Sequence, residues 1–285
     1  MSDPKGASIG DIQFPRTDNL PVQSPLYWVS QKDRYLRQLM IRDIEALTGR
    51  RLIVYFANRF HPAAGIDGGD VAYITELMSD ITPGEPVDFM IETNGGQTDA
   101  TEALVSIIQS RLSDFRTIIA NAAKSNGTLI SLAASKIVMG PSSELGPIDP
   151  HLQGTPCTIL AKPEFATLNF PLHHLAILGL KQTQKLAERL LREGMMKAAP
   201  VGEVERVAAA LGTRDIYFSH GSTIDHREAA ALGLDVEYLP AESELWQRIW
   251  LLYSMYDFDT RRDGYIKVFE GRGRSTSVAP SAPTP

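Results

Sequence analysis

The chain is poor in several things, and each shortage excludes something. Among its 285 residues there is one cysteine, Cys157, so neither an internal disulfide nor a multi-cysteine metal site can form, which fits a reducing compartment. Cys157 itself reads as a small buried hydrophobe. No run of about 18 apolar residues occurs, so nothing in the sequence spans a bilayer as a helix. The first 25 residues, broken by Pro4, Gly6, Gly10, Pro15, Pro21 and Pro25, hold no apolar run of the kind a secretory leader needs. A soluble cytoplasmic protein is expected, with any membrane attachment supplied by a partner. Basic charge is also short: the formal net charge is −6, which leaves no electrostatic footprint for nucleic acid.

What is present is enough apolar material, 43% of the residues, for one large domain. The expected organisation is an extended or disordered segment over 1–29, a single domain over 30–270 with a helical C-terminal region, and a disordered tail over 271–285 rich in Gly, Ser and Pro. Inside the domain the pattern alternates. Ser30 reads as the cap of a helix running to about Leu47, Leu52 to Ala57 as a strand, and Val71 to Asp80 as a helix. Val87 to Glu92 reads as a strand; Thr98 to Leu112 carries Ala100, Ala103, Leu104, Ile107, Ile108 and Leu112 at the spacing of a helix face. Phe115 to Ala122 and Lys136 to Met139 read as strands around a helix from Gly127 to Ala134. Such alternation implies right-handed crossovers and a largely parallel, buried α/β sheet. Ligands in such sheets collect beyond the carboxyl ends of the strands, and both Asn94-Gly95-Gly96 and Ser125 fall there.

Ser125 follows a strand and opens a helix, so its hydroxyl is placed as a nucleophile's would be. The first amides of that helix lack intrahelical partners and favour negative charge in front of them. Gly95 and Gly96, without Cβ atoms, allow a ligand to approach the backbone closely. With the amide of Asn126 they make a candidate oxyanion hole.

Three blocks, FMIETNGG over 89–96, AKSNGTLISLAA over 123–134 and IVMGPSSELGPIDP over 137–150, together resemble the serine dehydrogenase proteinase family, a branch of the Clp protease, signal peptide peptidase A and crotonase superfamily. The resemblance runs from about Leu52 to Tyr238. It implies a crotonase/Clp-protease-like repeated ββα spiral, peptidase activity without a cofactor, a peptide or protein substrate, assembly into a homo-oligomer, and an activating or membrane partner protein for some relatives. Asn126 stands where the family has Gly or Ala, and Lys124 before the serine is a second departure.

A nucleophilic serine needs a base. The position matching the Clp protease histidine holds Asp149; His151 follows it, but Pro150 constrains how the chain could bring that ring round. Relatives with an aspartate there resemble signal peptide peptidase A, which pairs serine with lysine, and a lysine serves if burial lowers its pKa. Lys181, on a helix from about His174 to Arg192 and one turn from Ile177, is the candidate favoured by the resemblance; Lys185 and Lys162 are the alternatives. Asp149 is a supporting residue that orients the base or caps a turn.

Other residues are assigned to structure. His220 and His226 lie in a segment, 217–234, that resembles the family's downstream block, with Asp225 capping a helix that Gly233 stops. His173 and His174 lack a matching ligand cluster for zinc, so no metal is expected. The segment 65–70, GIDGGD, lacks the spacing of a dinucleotide fingerprint. The aromatic helix from Glu244 to Tyr256 reads as core or subunit contact, since its polar face lacks the Lys and Arg of a membrane-surface helix. The functional expectation is a serine peptidase with a Ser125–Lys181 dyad, to which an extended peptide adds as a strand beside Gly95-Gly96. Its rivals are a catalytically silent oligomeric scaffold and a crotonase-like acyl-CoA enzyme.

Overall fold

The computed structural model describes residues 24–280; what is expected of 1–23 and 281–285 lies outside the described residues. The chain opens with α1 (Pro25–Ser30) and α2 (Lys32–Thr48), the latter stopped by Gly49 in the left-handed conformation. Ser30 closes α1, and Gln31 stands at the cap of α2. There follow β1 (Arg51–Ala57), α3 (Asp70–Leu77), β2 (Val87–Glu92), α4 (Thr98–Arg111), β3 (Phe115–Ile119), β4 (Ala122–Ala123), α5 (Asn126–Leu132), β5 (Ile137–Met139) and β6 (Glu144–Leu145). A small hairpin, β7 (His151–Leu152) and β8 (Thr155–Pro156), leads into α6 (Cys157–Leu160), α7 (Pro163–Leu168), α8 (Phe170–Glu193) and α9 (Glu203–Gly212). The last elements are α10 (His226–Leu232), β9 (Val236–Tyr238), α11 (Glu244–Asp263), β10 (Lys267–Gly271) and β11 (Ser275–Val278).

The main sheet has seven strands in the order β11-β10-β1-β2-β3-β5-β9. β1, β2, β3, β5 and β9 run parallel, and β10 and β11 close one edge antiparallel. The strand β11 corrects the expectation of a disordered tail over 271–285, and α1 already begins within the segment expected to be extended. β1 and β2 are buried along their whole length, because helices cover both faces of the sheet. Alternation sorts the side chains: Ile53, Tyr55, Phe89 and Ile91 face the helices α3, α4, α5, α8 and α9, while Leu52, Val54, Phe56 and Met90 face α2 and α11. The aromatic α11 is therefore a core helix, with Trp246, Ile249, Leu252 and Tyr256 all buried. Burial of one such side chain contributes about 1.5–3 kcal/mol.

Above the carboxyl ends of the parallel strands lies a second, minimal layer. Thr93 bridges Ala123, β4 pairs parallel with β6, and Leu145 bridges Ile224 antiparallel. Two strands followed by a helix recur, β3-β4-α5 being the clearest unit, and the fold is the Clp-protease-like α/β architecture. The chain must bend between the two layers, at Ala120 and Asn121, and this bend delivers the segment that ends in Ser125.

Candidate active site

Ser125 occupies the N-cap position of α5, but its side chain makes no capping bond, and its backbone sits at φ 51 and ψ −115. A non-glycine residue in this region is strained by about 1–3 kcal/mol, and such strain persists where packing over-determines it, often at functional sites. Here the packing is visible. A Cβ on Gly95, itself at φ +101, would lie 2.8 Å from the Ser125 Cβ, and one on Gly96 would lie 2.2 Å from the Ile66 nitrogen. Any side chain at either position would drive the Asn94–Gly96 turn off the serine or off its supporting strand.

Of the three expected oxyanion donors, two are uncommitted. The Gly95 amide donates to Thr93 Oγ1 at 3.0 Å. The Gly96 and Asn126 amides have no acceptor among the described residues, the latter because it is the first residue of α5. Gly96 bridges Ile66 through its neighbours, Ile66 donating to Gly95 O at 2.8 Å and Gln97 to Ile66 O at 2.9 Å, so its own N–H and C=O turn the other way. The Asn126 side chain takes up that carbonyl, Nδ2 donating to Gly96 O at 2.5 Å. This gives the unusual Asn126 a task, which is to hold the Gly96–Gln97 peptide, while the peptide that presents the Gly96 amide is fixed by Ile66 donating to Gly95 O. With both glycine carbonyls committed, the expected strand addition beside Gly95-Gly96 has one free N–H to use and no free C=O.

Ser125 lines a cavity of about 180 Å³ with Asn94, Gly96, Asn126, His151 and His220. Beneath it Asp149 is 1% exposed. His220 Nδ1 donates to Asp149 Oδ1 at 2.7 Å, and Arg214 Nε donates to Oδ2 at 2.9 Å. Burial works to raise the Asp149 pKa, but these bonds and the nearby rings outweigh it, so the carboxyl sits below its ordinary range. With Nδ1 donating to the carboxylate, Nε2 is the nitrogen that a neutral His220 ring would keep as an acceptor. His151 is differently committed: its Nε2 lies 3.3 Å from Arg214 Nη2, and its ring stands edge-on to His220 with centroids 4.3 Å apart. Burial, with His220 and Arg214 adding to it, lowers the His151 pKa despite Asp149.

The lysines expected as bases are not among the residues that line this cavity. Lys181 and Lys185 are exposed, not desolvated, and line a wider recess of about 500 Å³ that shares Ile148, Pro150 and Thr183 with the serine cavity. Lys162 is exposed at the start of α7. Conversely, His220, assigned to structure on its sequence, stands in the cavity. His226 is in α10, stacked on Tyr238 with centroids 4.0 Å apart, and Asp225 caps that helix by accepting from the amides of Arg227 and Glu228, as expected. Cys157 is buried, which raises its thiol pKa.

Among the described residues, Asp149, His151 and His220 present ligand atoms within 4.8 Å of one another, a spacing a divalent ion could span. Both carboxylate oxygens are already engaged, however, and the Arg214 guanidinium supplies the positive charge. No helix of the described residues is long and apolar enough to cross a membrane.

Comparisons with known proteins bear on this arrangement. The chain is 27% identical over 192 residues to the uncharacterized protein MJ0137 of Methanocaldococcus jannaschii, a match covering 64% of this chain and 63% of that protein. It is 36% identical over 73 residues to the uncharacterized protein MJ1495 of the same organism, covering 25% of each. Less than two thirds of either relative is therefore matched. A solved structure of a mutant of the 1510-N membrane-bound stomatin-specific protease is 19% identical, with a TM-score of 0.40 over 65% of this chain and 79% of that one. The family model for ClpP-like SDH-type serine proteinases matches residues 74–259, a span that holds Gly95, Gly96, Ser125, Asp149 and His220, and the chain belongs to that family.

Proposed function

We propose that the protein is a serine peptidase that hydrolyses peptide bonds through Ser125, with His220 as the base and Asp149 as the group that orients it. The observation that carries this reading is the bond between His220 and a buried aspartate at the wall of the cavity that Ser125 lines. Ser125 Oγ attacks the scissile carbonyl as the His220 Nε2 takes its proton. The carbonyl oxygen, now an oxyanion, is held by the amides of Gly96 and Asn126. Collapse of this intermediate breaks the C–N bond, the imidazolium gives its proton to the departing amine, and water repeats the sequence on the acyl-enzyme. Asp149, held ionised, fixes the tautomer of His220 and stabilises the imidazolium. No cofactor is required, and the substrate is a peptide or protein.

A Ser125–Lys181 dyad is the second reading, favoured by one observation: Lys181 lines the recess that shares three residues with the serine cavity. Labelling with a fluorophosphonate separates the two. The expected result is labelling that disappears in Ser125→Ala, collapses in His220→Ala and survives in Lys181→Ala. Survival in His220→Ala with loss in Lys181→Ala would hand the base to the lysine. An intact fold that neither labels nor hydrolyses would favour a scaffold, and saturable coenzyme A binding with Ser125 dispensable would favour an acyl-CoA enzyme.

A further inference from the structure

We propose that Lys124, the residue before the nucleophile, is a positioning residue that ties the Ser125 segment to the loop carrying His220 and so sets the spacing between them. The proposal rests on the peptidase reading above. Lys124 is 7% exposed, an unusual place for an ammonium unless it is fully paired. It is: Nζ donates to Ser222 O at 3.0 Å and to Leu145 O at 3.2 Å, and lies 2.9 Å from Glu144 Oε2. Those three partners use all three of its protons.

The geometry of those partners argues for a role beyond stability. At its backbone end Lys124 is locked into the second layer, its amide donating to Thr93 O at 2.9 Å and its carbonyl accepting from Gly127 at 2.8 Å. Its other end reaches Ser222, two positions after His220. The carboxylate that balances its charge, Glu144, also accepts from the hydroxyl of the next residue, Thr223. Burial works against that carboxylate, but the Thr223 and Lys124 bonds outweigh it and hold Glu144 below its ordinary range. One ammonium and one carboxylate thus pin two consecutive residues of the loop that must hold His220 in place. The lysine stem has been given a path to do so: a Cβ on Gly146 would come within 2.6 Å of the Lys124 Cδ. The loop from Thr213 to Ser222 has no regular secondary structure to fix it, so its position depends on side-chain ties. Arg214 to Phe218 O at 3.3 Å and the Asp149 bond stand on one side of the ring, the Lys124 and Glu144 contacts on the other, with the Ile224 bridge to Leu145 just beyond them.

The test uses the full chain and two variants that disturb the tie differently. Lys124→Met keeps the stem and removes the charge; Gly146→Ala keeps the charge and displaces the stem. Fluorophosphonate labelling is resolved into a maximal rate and an apparent affinity, with the folded fraction measured by thermal melting. Since small misplacements of reacting groups cost up to about 100-fold, the maximal rate per folded molecule is expected to fall at least about tenfold in both variants with the affinity held. In the same samples the His220 Nδ1 proton, read by NMR, is expected to lose its bond to Asp149. That second reading needs no activity, so a wild-type protein that fails to label would count against the peptidase reading and leave the tie to be judged by the imidazole signal. Variants that melt lower yet keep both the labelling rate and the His220 signal would show Lys124 to be a structural ion pair and overturn the proposal.

Discussion

On the α2–α11 face of the sheet, Arg37 donates to Glu270 at 2.7 Å, pairs with Asp259, and has Tyr256 donating to the same Glu270 oxygen at 2.7 Å; at the carboxyl ends of the parallel strands, Asp149 accepts from His220 and Arg214. Both carboxylates are buried, Glu270 at 0% and Asp149 at 1% exposed, and both are fully paired. The difference lies in what their partners have left over. Arg37 and Tyr256 are spent inside the core. Among the described residues, the His220 ring keeps one nitrogen without a bond at the wall of a cavity whose lining also includes Gly96 and Asn126, whose amides have no acceptor, and Ser125, whose hydroxyl has no partner. A buried charge that closes on itself fixes architecture; one that leaves reactive atoms facing a cavity is equipped for chemistry.

The contrast is broken most severely at the open cluster. His220→Ala is expected to lower labelling and hydrolysis per folded molecule by about 10²–10⁴-fold, the usual worth of a positioned general base, while Arg214 still pairs the buried Asp149 and limits the loss of stability. Asp149→Asn should follow it, as the carboxylate that sets the tautomer is lost. A fall in activity that merely tracks the melting temperature would make this cluster a second closed one. At the closed cluster the expectation is reversed. Arg37→Met leaves Glu270 buried without its cation and should cost about 3–5 kcal/mol of stability, read by denaturant titration, with the labelling rate per folded molecule unchanged.

Glu92 tests the border between the two. It ends β2 next to the Asn94–Gly96 turn, and it accepts from the Ala122 amide at 2.9 Å and from Asn121 at 3.0 Å and pairs with Arg59 at 3.3 Å. Burial dominates those bonds and pushes its carboxyl up to about 7. The folded chain then holds a proton on Glu92 that the unfolded chain has released, so stability falls as pH rises from about 4.5 to about 7 and is level above that, by at most about 3 kcal/mol. Glu92→Gln should flatten that limb in urea titrations between pH 5 and 8. A limb that persists in the variant would place the titrating group elsewhere.

The sequence made the parallel sheet legible because its strands are apolar on both faces and its crossover helices keep their period; Thr98–Arg111 ends within a residue of its expected limit. The bend at Ala120 and Asn121 was not legible, since the strand-like run from Phe115 to Ala122 reads as one strand whether or not it changes layer. Nor was β10, whose partner β1 stands at the other end of the domain, nor β11, which exists only as an edge strand on β10. At the site, the glycines and Ser125 announced themselves by local spacing and by resemblance. The Asp149–His220 pair could not, because 71 positions separate its members and a contact at that range leaves no periodic trace. A signal did exist: His220 sits in Ser219-His220-Gly221-Ser222, a composition of loops, and loops on a rigid sheet are where binding and catalytic residues concentrate.

His226, six positions on, sharpens the comparison at its finest grain. It shares a sequence block with His220, yet it lies on α10, whose first turn is held by Asp225 through Oδ1 accepting at 2.9 Å from the amides of Arg227 and Glu228. That makes Asp225 a cap and nothing more. Asp225→Ala should cost about 1 kcal/mol of stability, and the helix it frays begins just past Ile224, the residue that bridges Leu145 in the second layer. If the Lys124 and Glu144 contacts to Ser222 and Thr223 are what locate His220, the fraying stops at that bridge and the labelling rate is unchanged. A labelling rate that drops with the cap would show that α10, not the buried ammonium, anchors the loop.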